Sequence, residues 1–263
     1  MYIAFCKIKA VLRILRNFEY CIISWINLVF FREVFMMEIS SNVSVVIATL
    51  NEEEGIGLTI NELQNVLKKP YLVVVDGNSI DRTIEIAKNM GADVLLQEGK
   101  GKGDAMFQGF KQLGTKVPYV VFTDADYTYP AEFVPGMIEV LEQNPEVGMV
   151  IGNRFKGDLN HSKSVTNPFY LGNKLFAFAQ FMMNGVTLGD PLSGLRVVRS
   201  RVLEGWNPKS KGFDVEAEMN AHVRRKGYRT VEVPIDYRDR MGEKKLKLRH
   251  GLGIMKRIIA ESF

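Results

Sequence analysis

From Val43 onward, short apolar runs alternate with segments of helical periodicity, and this alternation constrains the fold more than any other feature. The runs are rich in valine and isoleucine, which predicts buried strands, and the segments between them predict helices. Short connections between such units indicate a mostly parallel sheet covered by helices on both faces. The predicted strands are Val43–Thr49, Tyr71–Asp76, Asp93–Gln97, Tyr119–Thr123 and Val147–Gly152, and the predicted helices are Gly55–Leu67, Asp81–Met90, Gly103–Leu113 and Pro130–Gln143.

Beyond Gly152 the pattern is looser, and the polar stretch Gly157–Asn167 predicts a loop. Pro234 restricts the last predicted strand to the edge of the sheet, because proline cannot donate to a strand ladder. Gly251–Phe263 combines an apolar face with lysine and arginine, which is typical of a basic amphipathic helix at a membrane interface, and the alternative is that this helix packs on the sheet. The remaining predicted elements are helices Phe169–Val186 and Asp214–Lys226 and strands Leu195–Val198 and Val231–Ile235.

Composition sets few limits on function. The 263 residues are 46% hydrophobic and 24% charged, a balance that supports one large core. The formal net charge of +4 fits an anionic substrate or a membrane surface, and no nucleic-acid partner is expected. Both cysteines, Cys6 and Cys21, precede residue 41, which excludes a disulfide framework or a thiolate zinc site in the rest of the chain.

The first 40 residues differ from the remainder and are predicted to form a separate N-terminal extension. Basic residues precede the apolar stretch Cys21–Phe31, which is too short for a transmembrane helix and resembles a signal peptide or an interfacial anchor. Met36 and Met37 lie just before the first strand, so the alternative is that the extension does not belong to the mature protein. The predicted domains are therefore 1–40, 41–249 and the C-terminal helix 250–263.

Two aspartates follow the fourth predicted strand directly, in the sequence Asp124-Ala125-Asp126. Ligand sites in open α/β sheets lie at the carboxyl ends of the strands. Two carboxylates at such an end can hold a hard divalent cation that shares its oxygen ligands with substrate phosphates. The alternative is a helix N-cap before Pro130, which accounts for one aspartate but not for both.

Carboxylates also follow the first two predicted strands. Glu52 and Asp76 each have a local alternative, because acidic residues favour the first turn of a helix and aspartate favours turns. Parallel strands bring their carboxyl ends to one rim, so the three strand-end acids should converge. Such a rim could accept hydrogen bonds from a ribose or from a base N–H group.

Basic residues near the same rim suit phosphates. Lys102 lies in the glycine-rich sequence 99–105, which lacks the ending of a P-loop, so a flexible basic turn is the alternative. Arg154 follows the fifth strand and could bind an anionic acceptor. Six cations fall within residues 238–249, typical of a solvated or membrane-facing surface and equally suited to clamping a diphosphate. Gly242 predicts a hinge in this segment, and no apolar run pins it.

Taken in order, these segments resemble the family-2 GT-A glycosyltransferases, in particular dolichyl-phosphate mannose and glucose synthases and archaeal-type polyprenyl-phosphate hexosyltransferases. The resemblance covers about Val43 to Arg249 and implies a GT-A (Rossmann-like) α/β fold with a C-terminal interfacial helix. The segments that carry it are VVIATLNEEEGI, VVVDGNSIDRT, GKGDA, VVFTDADYTYP, IGNRF, DPLSGLRVV, KGFDVEAEM and VPIDYRDRMGEKKLK.

The resemblance also implies roles for individual residues. Asp126 would be the chief ligand of Mg²⁺ or Mn²⁺, with Asp124 near it. The residues implied to act in catalysis are Asp124, Asp126, Arg154, Arg240 and Lys245. Those implied to bind the substrates are Ala48, Leu50, Glu52, Asp76, Lys102, Asp124, Ala125, Ser193 and Arg196, the last two with Arg154 at the acceptor phosphate.

This sequence departs from the family pattern at four positions. Ala48 replaces the usual proline, Leu50 the usual tyrosine and Lys244 the usual serine, while Thr128 stands where many mannose synthases have a metal-binding glutamine. The first two departures weaken stacking on the base, and Thr128 changes the expected metal ligands. The sugar, the nucleotide, the acceptor chain length and the oligomeric state stay open.

The implied reaction is inverting transfer of a hexose from a nucleotide sugar to a polyprenyl phosphate by a peripheral enzyme at the cytoplasmic face of the membrane. One alternative is a family-2 transferase acting on a saccharide or lipid alcohol, which would need a general base such as Asp190 or Asp214. Another is a non-catalytic module that binds anionic membranes through its basic tail.

Overall fold

A computed structural model describes residues 42–157 and 167–262, and these residues form a layered α/β fold around one sheet. The sheet has seven strands in the order β3-β2-β1-β4-β6-β5-β7. Valine and isoleucine fill the central strands, whose side chains are buried on both faces as a helix-covered parallel sheet requires. The strands are β1 (Val43–Thr49), β2 (Tyr71–Asp76), β3 (Asp93–Leu96), β4 (Tyr119–Asp124), β5 (Val147–Asn153), β6 (Arg196–Arg199) and β7 (Arg229–Pro234).

Seven α-helices connect or flank these strands in the described part of the chain. Short 3₁₀ turns, Ala131–Phe133 and Ser200–Leu203, precede α4 and follow β6. The helices are α1 (Ile56–Val66), α2 (Thr83–Asn89), α3 (Lys102–Leu113), α4 (Val134–Gln143), α5 (Pro168–Asn184), α6 (Val215–Arg225) and α7 (His250–Ala260). Within these ranges, no helix is both long enough and apolar enough to cross a bilayer.

The predicted α/β class is confirmed, and β6 is the exception to parallel pairing. Val197 of β6 pairs antiparallel with Val121 of β4 and with Val150 of β5. All three side chains are fully buried, so the centre of the sheet is continuous across the change of direction. The predicted edge position of the last strand is also confirmed, because β7 ends the strand order.

Helix α3 packs closely on the sheet, which fixes where its first residues lie relative to the strand ends. A Cβ atom on Gly109 would lie 2.4 Å from Val46 Cγ1, so only glycine allows this approach. Trp206 closes the same core, with its ring 6.0 Å from that of Phe107 and 6.2 Å from that of Phe122. The start of α3, which carries Lys102, is therefore held rigidly above the strand ends.

Most differences from the sequence prediction concern element ends. The helix predicted from Pro130 begins as a 3₁₀ turn, because Pro130 itself has an extended conformation (ψ 126°). The segment 1–40, for which an anchor was one prediction, and nearly all of the predicted loop Gly157–Asn167 lie outside the described residues.

Candidate active site

A cavity of about 1150 Å³ lies over the carboxyl ends of the strands. Strand register explains its position, because β1 pairs with both β2 and β4 and sets Ala48 beside Val75 and Asp124. The predicted convergence of strand-end acids is therefore observed for Glu52 and Asp124, whereas Asp76 is buried outside the cavity. Sequence-predicted residues that line the cavity are Ala48, Leu50, Glu52, Lys102, Asp124, Ala125, Asp126, Arg154, Arg240 and Lys245.

Asp126 is the most heavily bonded carboxylate of the rim, with 3% of its surface exposed. Its Oδ1 atom accepts hydrogen bonds from Thr128 Oγ1 (2.7 Å) and the Thr128 backbone N–H (3.2 Å). Its Oδ2 atom accepts one from Arg240 Nη1 at 2.7 Å. Burial, followed by the negative charge of Asp124, raises the pKa of Asp126 above its usual value. A cation beside this carboxylate would favour its ionised form.

Lys102 joins Asp124 to a carboxylate from a different part of the chain. Its Nζ atom lies 2.6 Å from Asp124 Oδ1 and 2.7 Å from Glu216 Oε1. Burial acts to lower the pKa of Lys102, but the two carboxylates outweigh it and hold that pKa above the usual range. Lys102 is thus fixed in charge and position at the rim. Sequence reasoning missed Glu216, although the helix that carries it was predicted.

The basic segment 238–249 packs over the rim through ion pairs. Lys245 Nζ lies 2.7 Å from Glu52 Oε1 and 2.8 Å from the Asn51 carbonyl oxygen, and Arg240 bonds the same Glu52 oxygen. The Met241 N–H donates to the Asp126 carbonyl at 3.1 Å. Burial raises the pKa of Glu52 despite both cations. Ion pairs and backbone hydrogen bonds therefore hold this segment over the rim.

Arg154 reaches the cavity with its guanidinium clamped by Asp190. The Nε and Nη2 atoms donate to the two Asp190 oxygens at 2.8 and 2.7 Å, and the Arg154 backbone N–H donates at 3.0 Å. Burial acts to lower the pKa of Arg154, but the Asp190 charge raises it. Glu232 fixes Asp190 in turn by accepting the backbone N–H groups of Gly189 and Asp190. The result is a preformed cationic contact for an anion.

Three predicted site residues do not line the cavity. Asp76 is fully buried, and its two oxygens accept hydrogen bonds from the Ser79 N–H and hydroxyl, each at 2.6 Å. Ser193 is also fully buried. The Arg196 guanidinium donates to the carbonyls of Pro191 and Ser193, so Arg196 supports this loop from beneath instead of facing the acceptor.

Several cavity residues carried no clear signal in the sequence. The Tyr129 hydroxyl oxygen accepts a hydrogen bond from the Gly194 N–H at 2.7 Å, and burial raises the pKa of Tyr129. His250, at the start of α7, lies with its ring 5.2 Å from that of Phe213, and its Nδ1 accepts the Lys247 N–H. The contacts of Tyr129 with Gly194 and of Phe213 with His250 join segments far apart in the chain, which no local pattern predicts.

The residues at the rim fit a divalent cation. Asp124 and Asp126 supply hard oxygen donors, and the buried Glu52 Oε2 has no hydrogen-bond partner among the described residues. The guanidinium of Arg240 already lies between Asp126 and Glu52, so these carboxylates attract positive charge there. Across residues 42–157 and 167–262, no three His, Cys, Asp or Glu side chains form a complete metal cluster. Substrate phosphates and water would therefore complete the coordination.

A seven-stranded sheet of this order, with helices on both faces and charged residues over its strand ends, is the arrangement of the GT-A fold. Residues 44–206 match the family described as Glycosyl transferase family 2, and the chain belongs to this family. The resemblance stated from the sequence is thereby confirmed.

Individual proteins extend this result. A dolichyl-phosphate hexose transferase of Haloferax volcanii is 36% identical over 210 residues, which cover 78% of this chain and 86% of the relative. A dolichol-phosphate mannosyltransferase of Pyrococcus furiosus is 32% identical over 235 residues. That match covers 81% of this chain and 64% of the relative, so this chain spans less than two thirds of that protein.

A solved structure supports the fold. Glucosyl-3-phosphoglycerate synthase from Mycobacterium tuberculosis, in complex with Mn²⁺, UDP and phosphoglyceric acid, superposes with a TM-score of 0.64 at 22% identity. The match covers 86% of this chain and 80% of that one. At this identity the likeness concerns the arrangement of strands and helices.

Proposed function

We propose that this chain transfers a hexose, with inversion, from a nucleotide sugar to a polyprenyl phosphate at the cytoplasmic face of a membrane, which it contacts peripherally. The observation that carries the proposal is that one cavity has three kinds of lining. They are carboxylates with Lys102, the cations Arg154 and Lys244, and apolar side chains of α5 and α7. These linings suit a donor diphosphate with its metal ion, an acceptor phosphate and a lipid chain.

The donor would lie over β1 and β4. Mg²⁺ or Mn²⁺ held by Asp126 and Asp124 would neutralise charge that develops on the departing diphosphate. Arg240 and Lys245 would add positive charge from the basic segment, exchanging their carboxylate partners for phosphate oxygens. Lys102, held between Asp124 and Glu216, would contact nucleotide or sugar without moving.

The acceptor phosphate would lie between Arg154 and Lys244. Burial, with the nearby charges of Arg154 and Arg240, lowers the pKa of Lys244, so an arriving phosphate would relieve repulsion among these cations. One phosphate oxygen attacks the anomeric carbon, the bond from that carbon to the diphosphate breaks, and the configuration inverts. The attacking oxygen is already anionic near neutral pH, so no general base is needed.

The two aspartates considered as general bases are both engaged with arginine. Asp190 is paired with Arg154 as described, and Asp214 Oδ2 lies 3.2 Å from Arg257 Nε. The oxygens of both carboxylates are thereby occupied by hydrogen-bond donors, because Asp214 Oδ1 also accepts the Gly212 N–H at 3.2 Å. This arrangement favours a phosphate acceptor over the alcohol acceptor, which would require a base.

Helices α5 and α7 would meet the membrane beside the acceptor site. Phe169, Phe176 and Ile254 face the cavity, and Ile254 and Ile258 attach α7 to the rest of the fold. A polyprenyl chain stays in the bilayer, since exposing each CH₂ costs about 0.8 kcal/mol. The enzyme must therefore come to its acceptor. Apolar side chains exposed on these two helices are Leu171, Leu175, Phe178, Phe181, Met182, Met183, Leu252 and Ile259.

A transfer assay tests the proposal. UDP-glucose and GDP-mannose, each with Mn²⁺ or Mg²⁺, are offered with a polyprenyl phosphate or with the matching polyprenol. We expect sugar transfer to the phosphate alone, and loss of that transfer in the Asp126→Asn variant. Transfer to the alcohol would favour the base-dependent alternative. Lipid binding without turnover of either donor would favour a non-catalytic membrane module.

A further inference from the structure

Gln97, which follows β3, lines the cavity beside Leu50 and Gly77. A Cβ atom on Gly77 would lie 3.2 Å from Gln97 Oε1 and 3.5 Å from Leu50 Cδ1. The side-chain oxygen of Gln97, the side chain of Leu50 and the backbone of Gly77 therefore meet at one wall of the cavity. Gln97 is 7% exposed, so its side chain has a defined position in that wall.

Asp104 determines which end of the Gln97 amide is the oxygen. Gln97 Nε2 donates to Asp104 Oδ2 and to the Gly101 carbonyl, both at 2.8 Å. Both partners are acceptors only, so a reversed amide would set its oxygen against two other oxygens. The two amide hydrogens are thus used, and Oε1 remains as the acceptor on the Gly77 side.

This wall is where the base of a nucleotide sugar would lie. The strand order β3-β2-β1-β4 sets β3 three positions from β4 and its carboxylates. At about 4.8 Å per strand, that separation is roughly 14 Å, comparable to the length of a nucleoside diphosphate. With the diphosphate near Asp124 and Asp126, the base reaches the wall formed by Leu50, Gly77 and Gln97.

Asp76, the residue expected from the sequence to meet the base, is turned away from the cavity. Its carboxylate is fully buried and bonded to Ser79. Gln97 Oε1 is therefore a side-chain acceptor of fixed orientation at this wall, where a base can reach it.

Resting on the proposed nucleotide-sugar donor, we infer that Gln97 is the specificity-determining residue for the base and accepts its ring N–H group. Uracil and thymine carry such a group at N3 and guanine carries one at N1, so the donor is a uridine, thymidine or guanosine diphosphate sugar. Cytosine and adenine carry a ring nitrogen acceptor at the corresponding edge, which would face Oε1 without a proton between them. Asp104 acts through Gln97 as a positioning residue.

Calorimetric titration of the full chain with nucleoside diphosphates and Mn²⁺ tests the inference without any acceptor or turnover. We expect UDP or GDP to bind at least about tenfold more tightly than CDP and ADP, in line with one hydrogen bond made or lost at a desolvated wall. The Gln97→Met variant should lose this preference while binding pyrophosphate with Mn²⁺ as the unmodified chain does. Asp104→Asn, which does not touch the base, should reduce the same preference by freeing the amide to rotate.

Gln108→Met is the matched control, because Gln108 Nε2 also donates to Asp104 at 2.7 Å but does not line the cavity. It should keep the preference. Equal binding of all four diphosphates by the unmodified chain would overturn the inference, as would an undiminished preference in Gln97→Met. Failure of transfer to polyprenyl phosphate would refute the proposed acceptor, but it would not change the interpretation of these binding measurements.

Discussion

The guanidinium of Arg240 lies 2.7 Å from Asp126 Oδ2, although 114 residues separate the two in the chain. The same guanidinium bonds Glu52, so one arginine joins the end of β1, the rim beyond β4 and the basic segment. A diphosphate and its metal ion would compete for both sides of this contact. Arg240 would gain phosphate oxygens, and Asp126 would gain a metal ion.

Replacing Asp126 by asparagine should abolish transfer without unfolding the chain. Asparagine keeps an oxygen for Thr128, whereas alanine would leave buried donors unpaired, because Asp126 is nearly fully buried. We expect activity to fall about 100-fold or more, since a metal ion supplies several kcal/mol of transition-state stabilisation. Transfer rate and melting temperature should be measured together. Asp93→Asn, at the start of β3, is the control, and equal activity in both variants would refute the metal assignment.

Replacing Asp190 by asparagine should weaken acceptor binding more than donor binding. The change removes the charge that clamps Arg154, so the guanidinium loses its fixed direction. Breaking such a buried pair costs about 3–5 kcal/mol, so stability should fall as well. Steady-state kinetics should give a raised KM for polyprenyl phosphate and a nearly unchanged KM for the donor. If the variant instead lost kcat near neutral pH and regained it as the pH rises, Asp190 would be identified as a general base.

Removing the charge of Glu52 should loosen the basic segment. Arg240 and Lys245 both bond this carboxylate, and the sequence of the segment contains no apolar run. We expect Glu52→Gln to increase trypsin cleavage between residues 238 and 247, and Glu54→Gln, an exposed neighbour, to leave it unchanged. In the unmodified chain, donor with metal should slow cleavage at these residues. Identical cleavage of all samples would contradict a charge-held clamp.

The exposed apolar face of α5 should bind anionic liposomes. Phe178 and Phe181 are 62% and 52% exposed, and the nearby cations add attraction to anionic lipid that salt weakens. We expect Phe178→Ser with Phe181→Ser to reduce cosedimentation at low salt. Ile80→Ser, at a side chain 93% exposed elsewhere, should not. Unchanged binding of the double variant would contradict membrane binding by α5 and would favour residues 1–40 as the membrane-binding segment.

Stability should decrease on mild acidification because of His222. Burial lowers the pKa of His222 below its ordinary value of 6.5, while its Nε2 lies 2.9 Å from the Val202 carbonyl oxygen. A depressed histidine pKa means that the unfolded chain binds the proton first, so unfolding is favoured as pH falls through about 6.5. The melting temperature should therefore drop between about pH 7.5 and 5.5. His222→Gln should flatten that dependence, and an equal slope in both proteins would contradict it.

The sequence by itself predicted the alternation of strands and helices, because a strand or a helix is encoded by the spacing of apolar residues within about a dozen positions. It also predicted that Glu52, Asp76 and Asp124 follow strand ends, which parallel strands bring to one rim. Recognition of the family then followed from the order of the motifs. The edge position of β7 was also predictable from the sequence, because Pro234 cannot donate a hydrogen bond to a neighbouring strand.

Only the tertiary structure decided which side chains meet at that rim. It reversed β6 between β4 and β5, turned Asp76 toward Ser79 and buried Arg196 under the loop that it was expected to serve. It also brought Glu216 to Lys102, across more than a hundred residues. Such pairings depend on how distant segments pack, and on the requirement that every buried charge find a partner, which no local pattern in the sequence specifies.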